Sequence, residues 1–153
     1  MPYALTPNLT NRSIVELSVF VVEDNAEIHE NLASALEELT CVKVVGGTPT
    51  EEGALAWLAA NTEWDMLIVD LFLKGGSGMR LVQRVQRARA AQKIIVFSNY
   101  VNASVRKRCA QLGVDAVFDK STEIDALVDY CSHLCSVLAQ DAPVSVYPTG
   151  GHP

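Results

Sequence analysis

An alternation constrains this chain more than any other feature. Five short apolar runs, "LSVFVV" (17–22), "CVKVVG" (41–46), "MLIV" (66–69), "KIIVFS" (93–98) and "AVFDK" (116–120), read as strands. Between them lie segments whose apolar residues recur at helical spacing. Residues 26–39 carry Ile28, Leu32, Leu36 and Leu39. In "TPTE" (48–51), Thr48 reads as an N-cap, Pro49 as the first helical residue and Glu51 as the closing member of a capping box, with the helix running to Asn61. Residues 78–90 place Met79, Val82 and Val85 on one side, and 102–112 place Val105, Cys109 and Leu112. A last helix from Ser121 or Thr122 has the stripe Ile124, Leu127, Val128, Cys131, Leu134, Cys135 and Leu138.

Strands that alternate with helices pair in parallel and are covered on both faces. The nearly unbroken apolar character of the runs agrees, because a parallel sheet is buried on both sides. Right-handed crossovers leave few topologies. The prediction is an α/β fold: a doubly wound, five-stranded parallel sheet in the order 2-1-3-4-5.

A length of 153 residues suits one domain with a real core. The expected division is an N-terminal extension over 1–16, a folded domain over 17–139 and a flexible C-terminal tail over 140–153, where three prolines and two glycines break any period. No apolar run approaches the roughly 18 residues that span a membrane. "MPYALTPNLTNRS" lacks the basic start and apolar stretch of a signal peptide, which favours the cytoplasm. Cys41, Cys109, Cys131 and Cys135 form no CxxC pair. They read as buried reduced thiols, with a metal or redox pair as the alternative. The net charge of −6 is uneven: Arg12 and Lys43 are the only basic residues in 1–73, which holds most of the acidic ones. That acidic half argues against general nucleic-acid affinity. Arg80, Arg84, Arg87, Arg89 and Arg106-Lys107-Arg108 read as solvated helix faces, or as a partner-binding patch.

Ligands of open α/β sheets bind at the C-terminal strand ends. Here those ends carry Glu23-Asp24, Asp70, Ser98 and Lys120. An Asp at one strand end is ordinarily a turn former, and Asp24 stands where it can cap the first helix. Four strand ends together point further. Glu23, Asp24 and Asp70 would meet where strands 1 and 3 are neighbours, and bare carboxylates so placed repel. A hard cation such as Mg2+ relieves this, Lys120 adds positive charge and Ser98 offers a hydroxyl to an anion. The combination suits phosphoryl transfer with Asp70 as nucleophile.

"VFVVEDN", "MLIVDLFLKGGSG", "IIVFSN" and "GVDAVFDKS" together resemble the motifs of response-regulator receiver domains of two-component signalling, in order and spacing, over residues 17–139. The resemblance implies a flavodoxin-like (βα)5 receiver fold and a stand-alone, single-domain type, with Mg2+ as cofactor. Asp70 resembles the phosphoacceptor, and Asp24 the direct metal ligand alongside Asp70. Glu23 resembles the ligand that acts through water, and the backbone carbonyl of Phe72 matches the remaining metal-ligand position. Ser98 matches the switch hydroxyl, Lys120 the lysine that contacts the phosphoryl group, and Gly78 the glycine that closes the loop. Such a protein is not an enzyme in the ordinary sense, since it catalyses only its own phosphorylation and dephosphorylation. Its implied partners are a histidine kinase or phosphotransfer protein and an unknown downstream protein, with a homodimer as a further arrangement; neither DNA nor a membrane is expected.

Several positions depart from the family pattern. Val117 replaces the usual Tyr or Phe, Lys74 the usual proline, Ser121 a frequent proline and Asn99 a small residue. Tyr100, two residues after Ser98, is a candidate substitute for the switch aromatic. Phe72 and Tyr100 flank the acceptor's mouth and are expected to shield it from hydrolytic water. The alternative function is a receiver-like binding module that signals without regular phosphorylation. An aspartate-nucleophile phosphatase would carry a second Asp at position 72, and a nucleotide-binding loop would need a GK[ST] that "GGTPTEEG" lacks.

Overall fold

A computed structural model describes residues 15–141. Most of the expected N-terminal extension and C-terminal tail therefore lies outside the described residues. Ten elements alternate along the chain: β1 (Leu17–Val22), α1 (Ala26–Leu39), β2 (Val42–Thr48), α2 (Glu51–Ala60), β3 (Met66–Val69), α3 (Gly78–Arg84), β4 (Lys93–Ser98), α4 (Ala103–Gln111), β5 (Ala116–Asp119) and α5 (Ile124–Asp141). The strands form one sheet in the order β2-β1-β3-β4-β5, and every pairing is parallel. This is the doubly wound sheet that the alternation predicts.

Strand residues alternate between two cores, as a pleat requires. Val19, Val21, Met66, Ile68, Ile95 and Phe97 face Leu32 and Leu36 of α1 and Leu127 and Cys131 of α5. Phe20, Val22, Leu67, Val69, Ile94 and Val96 face Ala54 of α2, Leu81 and Val82 of α3 and Cys109 of α4. The two faces converge on β3, whose four residues are all buried. Among the described residues no helix is long and apolar enough to cross a membrane.

Four expectations need correction. The capping box at 48–51 does not form: Thr48 still pairs with Val22 in the sheet, and Thr50 is the cap, its hydroxyl accepting from the Gly53 N–H at 2.9 Å. Helix α3 stops at Arg84 rather than continuing to 90. The cause is Gln92, fully buried, whose side-chain oxygen accepts from Ala88 and Arg89 N–H while its amide donates to the Thr62 and Trp64 carbonyls. Helix α5 begins at Ile124, not at Ser121 or Thr122, because the Asp119 carboxylate captures the Ser121 N–H and hydroxyl in a turn. Finally, not all four cysteines are free thiols. Cys41 and Cys135 form a disulfide with Cα atoms 5.8 Å apart, while Cys109 and Cys131 are buried and free.

Candidate functional site

The C-terminal rim of the sheet gathers the predicted residues. Asp70 follows β3 directly, its N–H donating to the Val22 carbonyl, and Glu23 follows β1, its N–H donating to the Thr48 carbonyl. Both side chains are buried. Ser98 closes β4 and is wholly inaccessible to solvent. Lys120 lies one residue past β5, and its N–H extends the pairing to the Ser98 carbonyl at 3.0 Å. The apolar strands thus fix four polar side chains on rigid backbone.

Their polar atoms touch. The Ser98 hydroxyl donates to Asp70 Oδ1 at 2.7 Å, and the Phe72 N–H donates to the same oxygen at 3.1 Å. Lys120 Nζ lies 2.7 Å from Asp70 Oδ2 and 2.5 Å from Glu23 Oε1. Burial alone would pull the Lys120 ammonium down, but its bonds to Asp70 and Glu23 outweigh this and hold its pKa above the ordinary lysine value. One oxygen each from Glu23, Asp24 and Asp70 lie within 4.8 Å of one another. Three convergent carboxylates are the hard oxygen donors that a small divalent cation takes.

The rim is braced locally. Asn25, not Asp24, caps α1 by accepting from the Ile28 N–H at 2.9 Å, which leaves Asp24 for the rim. Asp24 Oδ2 accepts from the Lys74 N–H at 2.6 Å. Gly78 closes the loop after Asp70, and no other residue fits: a Cβ there would stand 1.9 Å from the Asp70 carbonyl oxygen. At the mouth stand two exposed rings, Phe72 and Tyr100, edge to face with centroids 6.2 Å apart.

Sequence reasoning missed two supports. Glu51 is 2 % exposed and bound by Arg80, Arg84 and the Ser77 N–H. The signal was present: Arg80 and Arg84, one helical turn apart, present two guanidinium groups on one face to a single carboxylate. Arg106 is the other. Its guanidinium donates to the Val117 carbonyl at 2.9 Å and to Glu123 Oε1 at 2.8 Å, joining α4 to β5 and to the loop that carries Lys120. The arginines are therefore not simply solvated faces: Arg87 and Arg89 lie beyond α3 and pair with Asp115 and Asp65.

Comparison with known proteins agrees with the fold. The family model described as the response regulator receiver domain matches residues 19–132. The response regulator UvrY of Escherichia coli O6:H1 is 25% identical over 104 residues, 68% of this chain and 47% of that protein. The chain spans about half the length of the curated relatives it matches. Among solved structures, the CheY-like response regulator receiver domain protein from Methanospirillum hungatei JF-1 superposes with a TM-score of 0.66 at 19% identity, covering 82% of this chain and 98% of that one. A response regulator protein from Burkholderia pseudomallei, with a phosphorylated aspartic acid, calcium ion and citrate, gives a TM-score of 0.64 at 20% identity, covering 86% of this chain and 75% of that one. With the family model matched from residue 19 to residue 132, this chain belongs to the response regulator receiver domain family.

Proposed function

We propose that this chain accepts a phosphoryl group on Asp70 from a phosphorylated histidine of a kinase or phosphotransfer protein, in a reaction that needs Mg2+, and signals through protein–protein contact. The observation that carries this reading is the meeting of Asp70 with Ser98, Lys120, Glu23 and Asp24 at one rim. The Burkholderia pseudomallei protein, which carries a phosphorylated aspartic acid and a calcium ion, supports it by likeness of fold.

In the proposed transfer a carboxylate oxygen of Asp70 attacks phosphorus, a P–O bond forms and the donor's P–N bond breaks. Asp24 and Asp70 would hold the cation directly, Glu23 through water and Phe72 through its carbonyl. The bound cation neutralises charge on the phosphoryl oxygens. Lys120, held at Asp70 and Glu23, supplies a second positive charge to those oxygens. The Ser98 hydroxyl donates to Asp70 before transfer, and to a phosphoryl oxygen after it. The compartment we propose is the cytoplasm, where the Cys41–Cys135 bond is exposed to reduction.

The test is incubation with acetyl phosphate and Mg2+ followed by intact mass. A phosphate-sized gain is expected, lost in Asp70→Asn and lost with a chelator. A gain that survives Asp70→Asn sinks the assignment of the acceptor. No gain from any donor favours the receiver-like binding module, a reading to which Val117, with no ring to swing, lends its own support.

A further inference from the structure

We propose that the backbone N–H of Lys74 positions Asp24 for a divalent cation, and that Glu51 fixes this N–H from the far side of the loop. The inference rests on the Mg2+-dependent reading above. It begins from one bond: Lys74 N donates to Asp24 Oδ2 at 2.6 Å, across fifty residues of sequence. Its acceptor is a carboxylate, which makes the bond charge-assisted. Asp24 follows β1 and its side chain is relieved of capping duty by Asn25, so the loop takes one of its oxygens and leaves the other to a cation.

Residues 75–77 set the direction of that N–H, because they are stitched to the start of α2. The Gly75 carbonyl accepts from the Glu51 N–H at 3.0 Å, and the Ser77 N–H donates to Glu51 Oε1 at 3.0 Å. The Glu51 side chain is in turn clamped by Arg80, whose Nε and Nη2 reach its two oxygens at 2.9 and 2.7 Å. Gly76 makes the close approach: it has φ +103°, and a Cβ there would lie 2.6 Å from the Cβ of Glu51. A chain of fixed groups thus runs from α2 through the loop to Asp24. Lys74 contributes through its backbone alone; a proline in its place would have no N–H to give.

Donors behind a metal ligand orient it and raise its affinity, so their loss weakens binding. The competing physical outcome is that the N–H draws charge from Asp24 and its loss tightens binding. The two are separated by Mg2+ titration calorimetry on the whole chain, with circular dichroism to verify folding. Lys74→Ala keeps the N–H; Lys74→Pro removes it; an amide-to-ester replacement at residue 74 removes it without the proline ring. Lys74→Ala is expected within about two-fold of the parent, with Lys74→Pro and the ester weaker by about ten-fold or more, in the range seen for other donors behind metal ligands. Glu51→Gln should fall between. An ester that binds Mg2+ as tightly as the parent, or more tightly, overturns the proposal. So does a Lys74→Ala loss equal to that of Lys74→Pro. A parent chain that takes no Mg2+ is a different result: it overturns the Mg2+ reading itself, and this inference with it.

Discussion

Among the described residues, Glu51 carries the most confined carboxylate outside the rim. Its bonds to Arg80, and then the Ser77 N–H, hold its pKa at about 2, down from an ordinary 4.5, against the opposing effect of burial. The folded state therefore keeps this group ionised where the unfolded chain protonates it. Its stabilising contribution is whole above the unfolded value and is lost as pH falls toward 2. Near pH 3, unfolding of the parent should take up about one proton more than unfolding of Glu51→Gln, read from the slope of unfolding free energy against pH. Equal slopes would refute the assignment. Phe72 and Tyr100 pose a second question at this scale. Tyr100 holds φ +58°, a left-handed conformation that L-residues enter at a cost, and the residue is 82 % exposed. Neither ring is buried well enough for packing to explain it. Replacing both with Asn should shorten the life of the phosphorylated form, timed by intact mass after donor removal; an unchanged decay would dismiss the shielding role. Glu23, Asp24, Asp70, Ser98 and Lys120 were legible because each breaks an apolar run at a strand end. Glu51 was legible only in half: Arg80 and Arg84 mark one helix face, but the carboxylate they share sits on another helix. The Lys74 N–H was not legible, because a backbone donor leaves no mark in a side-chain pattern.

Among elements, strands were read more accurately than helices, and the reason is physical. A strand's pattern reports the sheet it is buried in, and β1, β3 and β4 fall where their apolar runs do. A helix's end is decided by individual capping bonds. The period of α3 continues through Val85, yet Gln92 reaches back to take the N–H groups of Ala88 and Arg89, so the chain leaves the helix early. Helix α5 is tied more firmly than its stripe predicted. It packs on the face shared with α1, and Cys135 joins it to Cys41, just ahead of β2. The sequence separation is 94 residues, so closing this loop removes much freedom from the unfolded chain. Cys41→Ser, or full reduction, should lower stability by about 2 to 4 kcal/mol in urea titrations. Reductant should bring the parent down to the level of the variant. A parent indifferent to reductant would show that the bond does not form in solution.

At the scale of the molecule, the uneven charge of the sequence resolves into pairing between its two halves. The acidic first half meets the basic second half at Glu51 with Arg80 and Arg84, at Asp65 with Arg89, and at Glu23 and Asp70 with Lys120. The rim is one of these seams, so the charges that build the site also join the halves. The net −6 describes the whole chain, not its rim, where a lysine already balances part of the acid. The same seam bears on how the backbone is closed. The bond between Cys41 and Cys135 turns residues 41–135 into a covalent ring that holds β2 through β5, with Asp70, Ser98 and Lys120 inside it and Glu23 and Asp24, just after β1, outside. A protease that cuts once anywhere in that ring opens a circle and releases nothing: on a denaturing gel the product runs as a single band until the sulfurs are reduced, whereas one cut between Asp24 and Cys41 parts Glu23 and Asp24 from Asp70 with no reductant at all.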